Sequence, residues 1–286
     1  MDSSGLNGAF IVIPIRSNVQ KRIPSYVTIG LIAINAVVFL YQVSLREPMS
    51  TQTVYRYGFV PARVSAWMGG REALQVDRSF NVRTRYGLVP LFTIQMSLPA
   101  DPQRIILTIF TAMFMHGGWL HFGFNMWFLW IFGGNIEDRL GHGFYAIFYL
   151  FCGVCAAGLQ TLLDIGSDTP MIGASGAIAG VLGAYLIAYP WARVLTLLPI
   201  FFFWQFIEIP ALFFLGLWFV MQFFSGWASI AQVQEGGVAY WAHVGGFAAG
   251  VLIMLVLKRI ERLRRPPSRV EVILPGEQWH RDTWGN

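Results

Sequence analysis

The amino-acid sequence predicts an all-α, polytopic membrane protein with six transmembrane helices. Of its 286 residues, 55% are hydrophobic and 12% are charged, a balance that excludes an ordinary soluble domain. The apolar residues are gathered into stretches about as long as a bilayer is thick. The net charge of +5 comes from basic residues beside these stretches, which is typical of membrane topology rather than of nucleic-acid binding. The predicted surroundings are therefore membrane lipids, and no nucleic-acid partner is expected.

Six apolar stretches are expected to cross the membrane, namely 26–43, 119–136, 144–163, 171–189, 204–224 and 238–257. The fifth lies in an apolar run, 194–224, that is too long for one helix. Pro199 and Pro210 should break or kink this run, so the span is placed in its C-terminal part. Glu208 is expected near the cytoplasmic end of the fifth span, where it snorkels or forms an ion pair.

The rest of the chain divides around a membrane domain at residues 25–260. Residues 1–24 are predicted to be a short cytoplasmic lead with no cleavable signal pattern, and residues 261–286 a basic cytoplasmic tail. The first external loop, 45–108, contains scattered charges and apolar patches. It has two interpretations, a soluble insertion or interfacial helices lying on the bilayer, and the second is preferred.

The positions of Lys and Arg predict the orientation of the spans. Six spans place both termini on one side, and loops 165–170 and 225–237, which contain no Lys or Arg, lie on the other. Loop 45–108 lies on that outer side as well. We therefore predict a multi-pass protein of the cell (inner) membrane with cytoplasmic termini. The basic residues on the cytoplasmic face are Arg16, Lys21, Arg22, Arg139, Arg193, Lys258 and Arg259.

Four polar side chains share one predicted depth near the outer ends of three spans. Ser175 lies near the start of the fourth span, His243 near the outer end of the sixth, and His121 and Asn125 on one face of the second. At 1.5 Å per residue, all four lie within about 5–12 Å of the outer ends of their helices. Polar groups at such a depth are costly, and they mark functional sites or buried hydrogen bonds.

The glycines around Ser175 have two interpretations. Their three- and four-residue spacing is typical of packing between membrane helices. Glycines beside a serine also let a substrate backbone approach, and a helix N-terminus presents free N–H groups to a developing oxyanion. Taken alone, His243 could equally be a structural histidine, and His121 and Asn125 could bridge neighbouring helices. The glycines concerned are Gly173, Gly176, Gly180 and Gly183.

Several motifs in order resemble those of the rhomboid family of intramembrane serine proteases, of the basic six-span bacterial type. The resemblance extends from about residue 13 to residue 260 and implies a six-helix rhomboid-like bundle with a Ser–His dyad that has no acid. The motifs are His121-Phe122-Gly123-Phe124-Asn125, Gly134-Asn135-Ile136-Glu137-Asp138-Arg139-Leu140-Gly141, Gly173-Ala174-Ser175-Gly176, and Ala242-His243-Val244-Gly245-Gly246 with Gly250.

The resemblance also implies roles for single residues. Ser175 would be the nucleophile and His243 the base, and His121, Asn125 and the Ser175 backbone N–H would form the oxyanion site. The position four residues after the serine, often aromatic and set beneath the catalytic histidine, is Ala179 here. The support of the His243 ring is therefore unexplained. Structural roles are expected for Glu137, Arg139, Gly173, Gly176, Gly246 and Gly250, the last two because their spacing predicts packing of span six against span four.

The implied activity is that of a serine endopeptidase that cuts other membrane proteins in or near their spans. Small residues are favoured at the cut, the active site opens to the external side, and the broken region around the fifth span is the candidate for lateral access. The sequence contains no metal-ligand cluster or nucleotide-binding loop, so no cofactor is predicted. Two alternatives are a non-proteolytic protein of the same fold that binds or escorts membrane clients, and a transporter with an intramembrane polar site.

Overall fold

The computed structural model describes residues 13–84, 87–200, 203–231 and 238–260. Residues 1–12 of the predicted lead and the whole predicted tail, 261–286, lie outside this part. The helices are α1 (Tyr26–Ser44), α2 (Met49–Tyr57), α3 (Pro61–Met68), α4 (Pro102–Ala112), α5 (Trp119–Phe128), α6 (Gly134–Leu140), α7 (His142–Leu163), α8 (Ser175–Ala188), α9 (Ala211–Ala231) and α10 (Tyr240–Arg259). The strands are β1 (Ile13–Ser17), β2 (Ala73–Thr84), β3 (Gly87–Pro99), β4 (Arg193–Ile200) and β5 (Phe203–Pro210).

The chain is a mostly helical membrane protein. In the described ranges four helices, α1, α7, α9 and α10, are long and apolar enough to cross a membrane. They correspond to the first, third, fifth and sixth predicted spans. At the second predicted span, a π-helical turn at Leu129–Gly133 joins α5 to α6, so the chain is helical from Trp119 to Leu140. The fourth contains the shorter helix α8, of 14 residues.

The predicted fifth span is wrong at its start, because residues 204–210 belong to strand β5 and helix α9 begins at Ala211. Strands β4 and β5 pair antiparallel, with Arg193 opposite Pro210 and Ile200 opposite Phe203. Pro199 and Pro210 prevent a continuous helix here, and strand pairing satisfies the backbone groups instead. Glu208 forms an ion pair with Arg193, with 3.1 Å between Oε2 and Nη1.

Strand β1 adds to this hairpin and makes a three-stranded sheet in the order β1-β4-β5. The all-α prediction therefore holds for the bundle but not for the segments at its two ends. The residues after β1 remain at the same end of the bundle, because the backbone N–H groups of Arg22 and Ile23 both donate to Oδ1 of Asp138, each at 3.1 Å.

At the opposite end, the preferred interpretation of loop 45–108 as interfacial helices is wrong over Ala73–Pro99. This part is a long antiparallel hairpin of β2 and β3. Ile94, Met96 and Leu98 are buried while the residues between them are exposed. Such a period of two is typical of a half-buried strand. The short helices α2 and α3 precede the hairpin.

Backbone hydrogen bonds and an ion pair join this region to the segment that leads into α8. The backbones of Phe59 and Met171 exchange two hydrogen bonds, of 3.1 and 2.7 Å. Arg78 of β2 forms an ion pair of 2.7 Å with Asp168 and also hydrogen-bonds the Tyr55 hydroxyl. The segment before α8 is therefore held from outside the bundle.

Helix α8 lies at the centre of the bundle, with ten of its 14 residues buried. It packs closely against α10 through glycines on both helices. A Cβ atom added at Gly246 would collide with the carbonyl oxygen of Gly176, and one added at Gly250 would collide with that of Gly180. The two backbones are in direct contact, which is the geometry that small residues permit between membrane helices.

Glu137, which is fully buried, caps the start of α1. One carboxylate oxygen accepts the Val27 N–H at 2.8 Å, and the other accepts both the N–H and the hydroxyl of Thr28, at 2.8 and 2.7 Å. Backbone N–H groups in a first helical turn have no partner within their own helix, and a carboxylate suits them. The guanidinium of Arg139 lies over the ring of Tyr189 at 5.8 Å.

Candidate active site

Ser175 and His243 meet at the N-terminal ends of two helices. Ser175 is the first residue of α8, and His243 lies in the first turn of α10. The Ser175 Oγ atom is 2.8 Å from Nε2 of His243, a normal hydrogen-bond distance. The close approach of α8 and α10 at Gly176 and Gly246 holds these two helix ends together.

Gly173 shapes the entrance to α8. Its φ of +126° lies in a region that residues with a side chain rarely adopt, and its N–H donates to the carbonyl of Ala112 at 2.9 Å. A Cβ at this position would lie 2.8 Å from both Cε1 and Nε2 of His121 and 3.5 Å from the Ser175 Oγ atom. The His121 ring therefore lies directly over the turn that leads to Ser175.

The hydrogen bonding of His121 fixes which of its nitrogens can donate. The backbone N–H of Gly117 donates to Nδ1 of His121 at 3.3 Å. A neutral imidazole that accepts at Nδ1 carries its proton on Nε2. Nε2 is the nitrogen beside Gly173, so His121 can donate a hydrogen bond into the space next to Ser175.

Asn125 lies one helical turn after His121 and is buried. Its Nδ2 atom donates to the backbone oxygen of His121 at 2.8 Å. An amide nitrogen carries two protons, so one N–H remains for another acceptor. Within the described residues, no hydrogen bond joins Asn125 to Ser175.

Helix α9 supplies two contacts to His243 that the sequence reasoning did not select. The Gln222 Oε1 atom is 2.7 Å from Nδ1 of His243. The Trp218 ring lies with its centroid 5.9 Å from that of His243 and its plane inclined by 34°. The two residues are one turn apart and so share a face of α9. Gln222 and Trp218 therefore contact the His243 ring, whose support was unexplained because the position four residues after Ser175 is Ala179.

A second glutamine holds the backbone beside His243. Oε1 of Gln160, on α7, accepts the N–H of Ala242 at 3.2 Å. This N–H lies in the first turn of α10, where it also donates to the carbonyl oxygen of Ala239 at 3.1 Å. Gln160 thereby fixes the start of α10 against α7.

A small cavity opens beside Ser175. Its walls are mainly small or apolar side chains, and at Gly153 a Cβ would collide with the Met113 side chain. The space is therefore suited to a small, uncharged group. The lining includes Met113, Gly153, Ala157, Gly176, Ala239 and Ala242.

Comparison with known proteins identifies related sequences. Rhomboid protein 1, mitochondrial, of Saccharomyces cerevisiae is 29% identical over 179 residues, which cover 59% of this chain and 47% of that protein. Rhomboid-like protein 11, chloroplastic, of Arabidopsis thaliana is 29% identical over 191 residues, covering 64% and 60%. Rhomboid protease GluP of Bacillus subtilis is 36% identical over 78 residues, covering 27% and 15%. The chain thus spans about half the length of the first two relatives.

A family model described as Rhomboid domain matches residues 103–260, which is more than half of the chain. The matched range contains Ser175, His243, His121 and Asn125. The family prediction made from the motifs is thereby confirmed, and the chain belongs to the rhomboid family.

Proposed function

We propose that this protein is an intramembrane serine endopeptidase that cleaves the transmembrane segments of other membrane proteins. The observation that carries the proposal is the 2.8 Å contact between the Ser175 Oγ atom and Nε2 of His243. A serine hydroxyl is a weak nucleophile until a base within hydrogen-bond reach takes its proton. One relative, from Bacillus subtilis, is itself named a rhomboid protease.

In this mechanism His243 serves first as base and then as acid. Nε2 takes the proton from Ser175 as the Oγ atom attacks the carbonyl carbon of the substrate peptide bond. The same proton then passes to the leaving amine, which leaves an acyl group on Ser175. A water molecule, deprotonated by His243, releases the acyl group and restores the hydroxyl. Hydrolysis requires that water reaches this site from the outer face.

The negative charge of the tetrahedral intermediate would be held by donors around Gly173. The candidates are Nε2–H of His121, the backbone N–H of Ser175 and the second N–H of Asn125. The first lies beside Gly173, and the second lies at a helix N-terminus, where N–H groups are free. Such donors stabilise charge that develops only in the transition state.

We expect His121→Ala to lower kcat by about 10²–10³-fold, because one oxyanion donor is lost. KM should change little, since the donor acts mainly on the transition state. Steady-state cleavage of a fluorescent transmembrane peptide in detergent micelles measures both constants. His142→Ala is the matched control, because that histidine bonds Glu137 at the other end of the bundle. Equal loss of kcat in both variants would contradict the oxyanion role.

We propose six spans, of which the helical segment Trp119–Leu140 is the second and the short helix α8 is the fourth. Helix α8 is about 21 Å long, which is shorter than a hydrocarbon core of about 30 Å. Its two ends must therefore be shielded from lipid by neighbouring helices. The orientation proposed for these spans is the one that the positions of Lys and Arg predict. The lead 1–24 and the tail 261–286 are cytoplasmic, and the domain 25–260 lies in the cell (inner) membrane. The active site then opens to the external or periplasmic side.

Substrates would reach the site from the lipid beside α9. This helix has large apolar side chains exposed along its length, as expected for a lipid-facing surface. A substrate helix must unwind near Ser175, because a helical backbone hides its carbonyl groups. The small cavity beside Ser175 favours a small residue at the cut.

Labelling by a serine-reactive fluorophosphonate tests the proposal. The detergent-solubilised protein should be labelled, and Ser175→Ala should not. A non-proteolytic protein that escorts membrane clients predicts instead that Ser175→Ala retains full function and that the wild type is not labelled. Ser44→Ala is a suitable control, because Ser44 lies exposed at the end of α1 and its hydroxyl donates to the carbonyl oxygen of Tyr41 in the same helix.

A further inference from the structure

We propose that Gln222 of α9 is a positioning residue that sets the tautomer and orientation of the His243 ring. The inference rests on the proposed proteolytic function and adds a third member to the Ser175–His243 arrangement. It starts from the 2.7 Å contact between Oε1 of Gln222 and Nδ1 of His243.

The contact determines which imidazole nitrogen carries the proton. An amide oxygen can only accept a hydrogen bond, so Nδ1 of His243 must donate. The neutral ring then has its lone pair on Nε2, the atom 2.8 Å from the Ser175 Oγ atom. This is the tautomer that a general base needs. The opposite tautomer would present an N–H to the serine and could not accept its proton.

Helix α9 holds the ring from a second direction as well. The Trp218 ring packs against His243, and it also lies 6.1 Å from the ring of Phe247, one turn further along α10. Trp218 therefore restricts the tilt of the imidazole, while Gln222 restricts its rotation about the Cβ–Cγ bond. A ring that is fixed in both senses loses less freedom when the transition state forms.

An uncharged acceptor suits this position in a membrane protein. When Nε2 takes the proton, the ring becomes an imidazolium, and the dipole of the Gln222 amide stabilises its Nδ1–H. A carboxylate would do the same with a full charge, but a charged side chain within a span is expensive when its partner is neutral. Gln222 is only half-buried, yet its amide oxygen is directed at the ring.

Three variants at this position distinguish the effect of the hydrogen-bond acceptor from the effects of side-chain length and side-chain volume. Gln222→Leu removes the acceptor at similar volume, Gln222→Glu keeps an acceptor at the same distance, and Gln222→Asn draws the amide back by one methylene. Met221→Leu is the matched control on the adjacent, exposed position of α9. Cleavage of a fluorescent transmembrane peptide and the rate of fluorophosphonate labelling are measured for each, with thermal unfolding as the check on folding.

We expect Gln222→Leu to lower kcat about 10- to 100-fold with KM within about twofold, as is typical when a partner that orients a histidine is lost. Labelling should slow by a similar factor, since it needs an activated Ser175 but no bound substrate. Gln222→Glu should stay within a few-fold of wild type, Gln222→Asn should resemble Gln222→Leu, and Met221→Leu should be unchanged. If Gln222→Leu does not fold, the contrast between Gln222→Glu and Gln222→Asn still decides the matter.

Two results would overturn the assignment. Wild-type rates in Gln222→Leu, or in Gln222→Asn, would show that the contact has no role in positioning. Equal losses in the Glu and Leu variants, with unchanged unfolding temperature, would show that an acceptor at Nδ1 is not what His243 requires. Failure of the proposed function is distinguishable from both, because the wild type itself would then not react with the fluorophosphonate.

Discussion

Alanine in place of Ser175 or His243 is expected to abolish cleavage of a transmembrane reporter, with a fall in kcat of roughly 10³-fold or more. In the proposed mechanism the hydroxyl is the attacking group and the imidazole is the base that activates it, so neither can work without the other. Because the two side chains are 2.8 Å apart, we expect them to act as one functional unit. Western blotting of the reporter in cells and peptide cleavage in detergent both measure the loss.

The double variant provides the sharper test of that unit. Residues that act together have strongly non-additive effects, so Ser175→Ala with His243→Ala should be no slower than either single variant. Independent contributions would instead multiply the two losses. Multiplied losses, or cleavage that survives in Ser175→Ala, would contradict the dyad. Folding of each variant is checked by its unfolding temperature, which should change little in Ser175→Ala because only the hydroxyl oxygen is removed.

Alanine at Gly250 is expected to destabilise the protein, lowering the free energy of unfolding by about 1–3 kcal/mol. A Cβ here would collide with the carbonyl oxygen of Gly180, which is backbone and cannot rotate away. Helices α8 and α10 must therefore move apart. Denaturant titration of the purified protein in mixed micelles measures the change.

Gly216→Ala is the matched control for this substitution. Gly216 lies inside helix α9, and a Cβ at this position meets nothing within 4 Å. Because alanine has the higher helix propensity, this variant should be neutral or more stable by up to about 1 kcal/mol. Equal destabilisation by both substitutions would mean that the contact between α8 and α10 does not limit stability.

The sequence predicted the long helices because length and hydropathy are properties of a segment alone. It predicted α1, α7 and α10 to within a few residues, since nothing in their interiors competes with a helix. It did not predict β4 and β5. Those strands lie in a mostly apolar run in which no period of two is visible, and the pairing of β4 with β1 is a contact between residues far apart in the sequence.

Depth along a span was sufficient to select Ser175 and His243, since it depends only on where each helix starts. The same criterion applies to Gln222, a polar residue near the predicted outer end of the fifth span. That Gln222 faces His243 depends on the rotation of α9 about its own axis. This rotation is set by the side chains packed between α9 and α10, such as Phe219 stacked on Phe247. A single sequence does not contain it.

The shortness of α8 has a consequence for how the protein is made. A segment of 14 residues that includes three glycines inserts poorly into a bilayer by itself during synthesis. Helix α8 is instead enclosed by α7 and α10, and α10 is synthesised after it. The proposed pair of Ser175 and His243 thus forms only when α10 is in place, because His243 lies on that helix. Under the proposed function, a chain that lacks α10 is therefore expected to be inert.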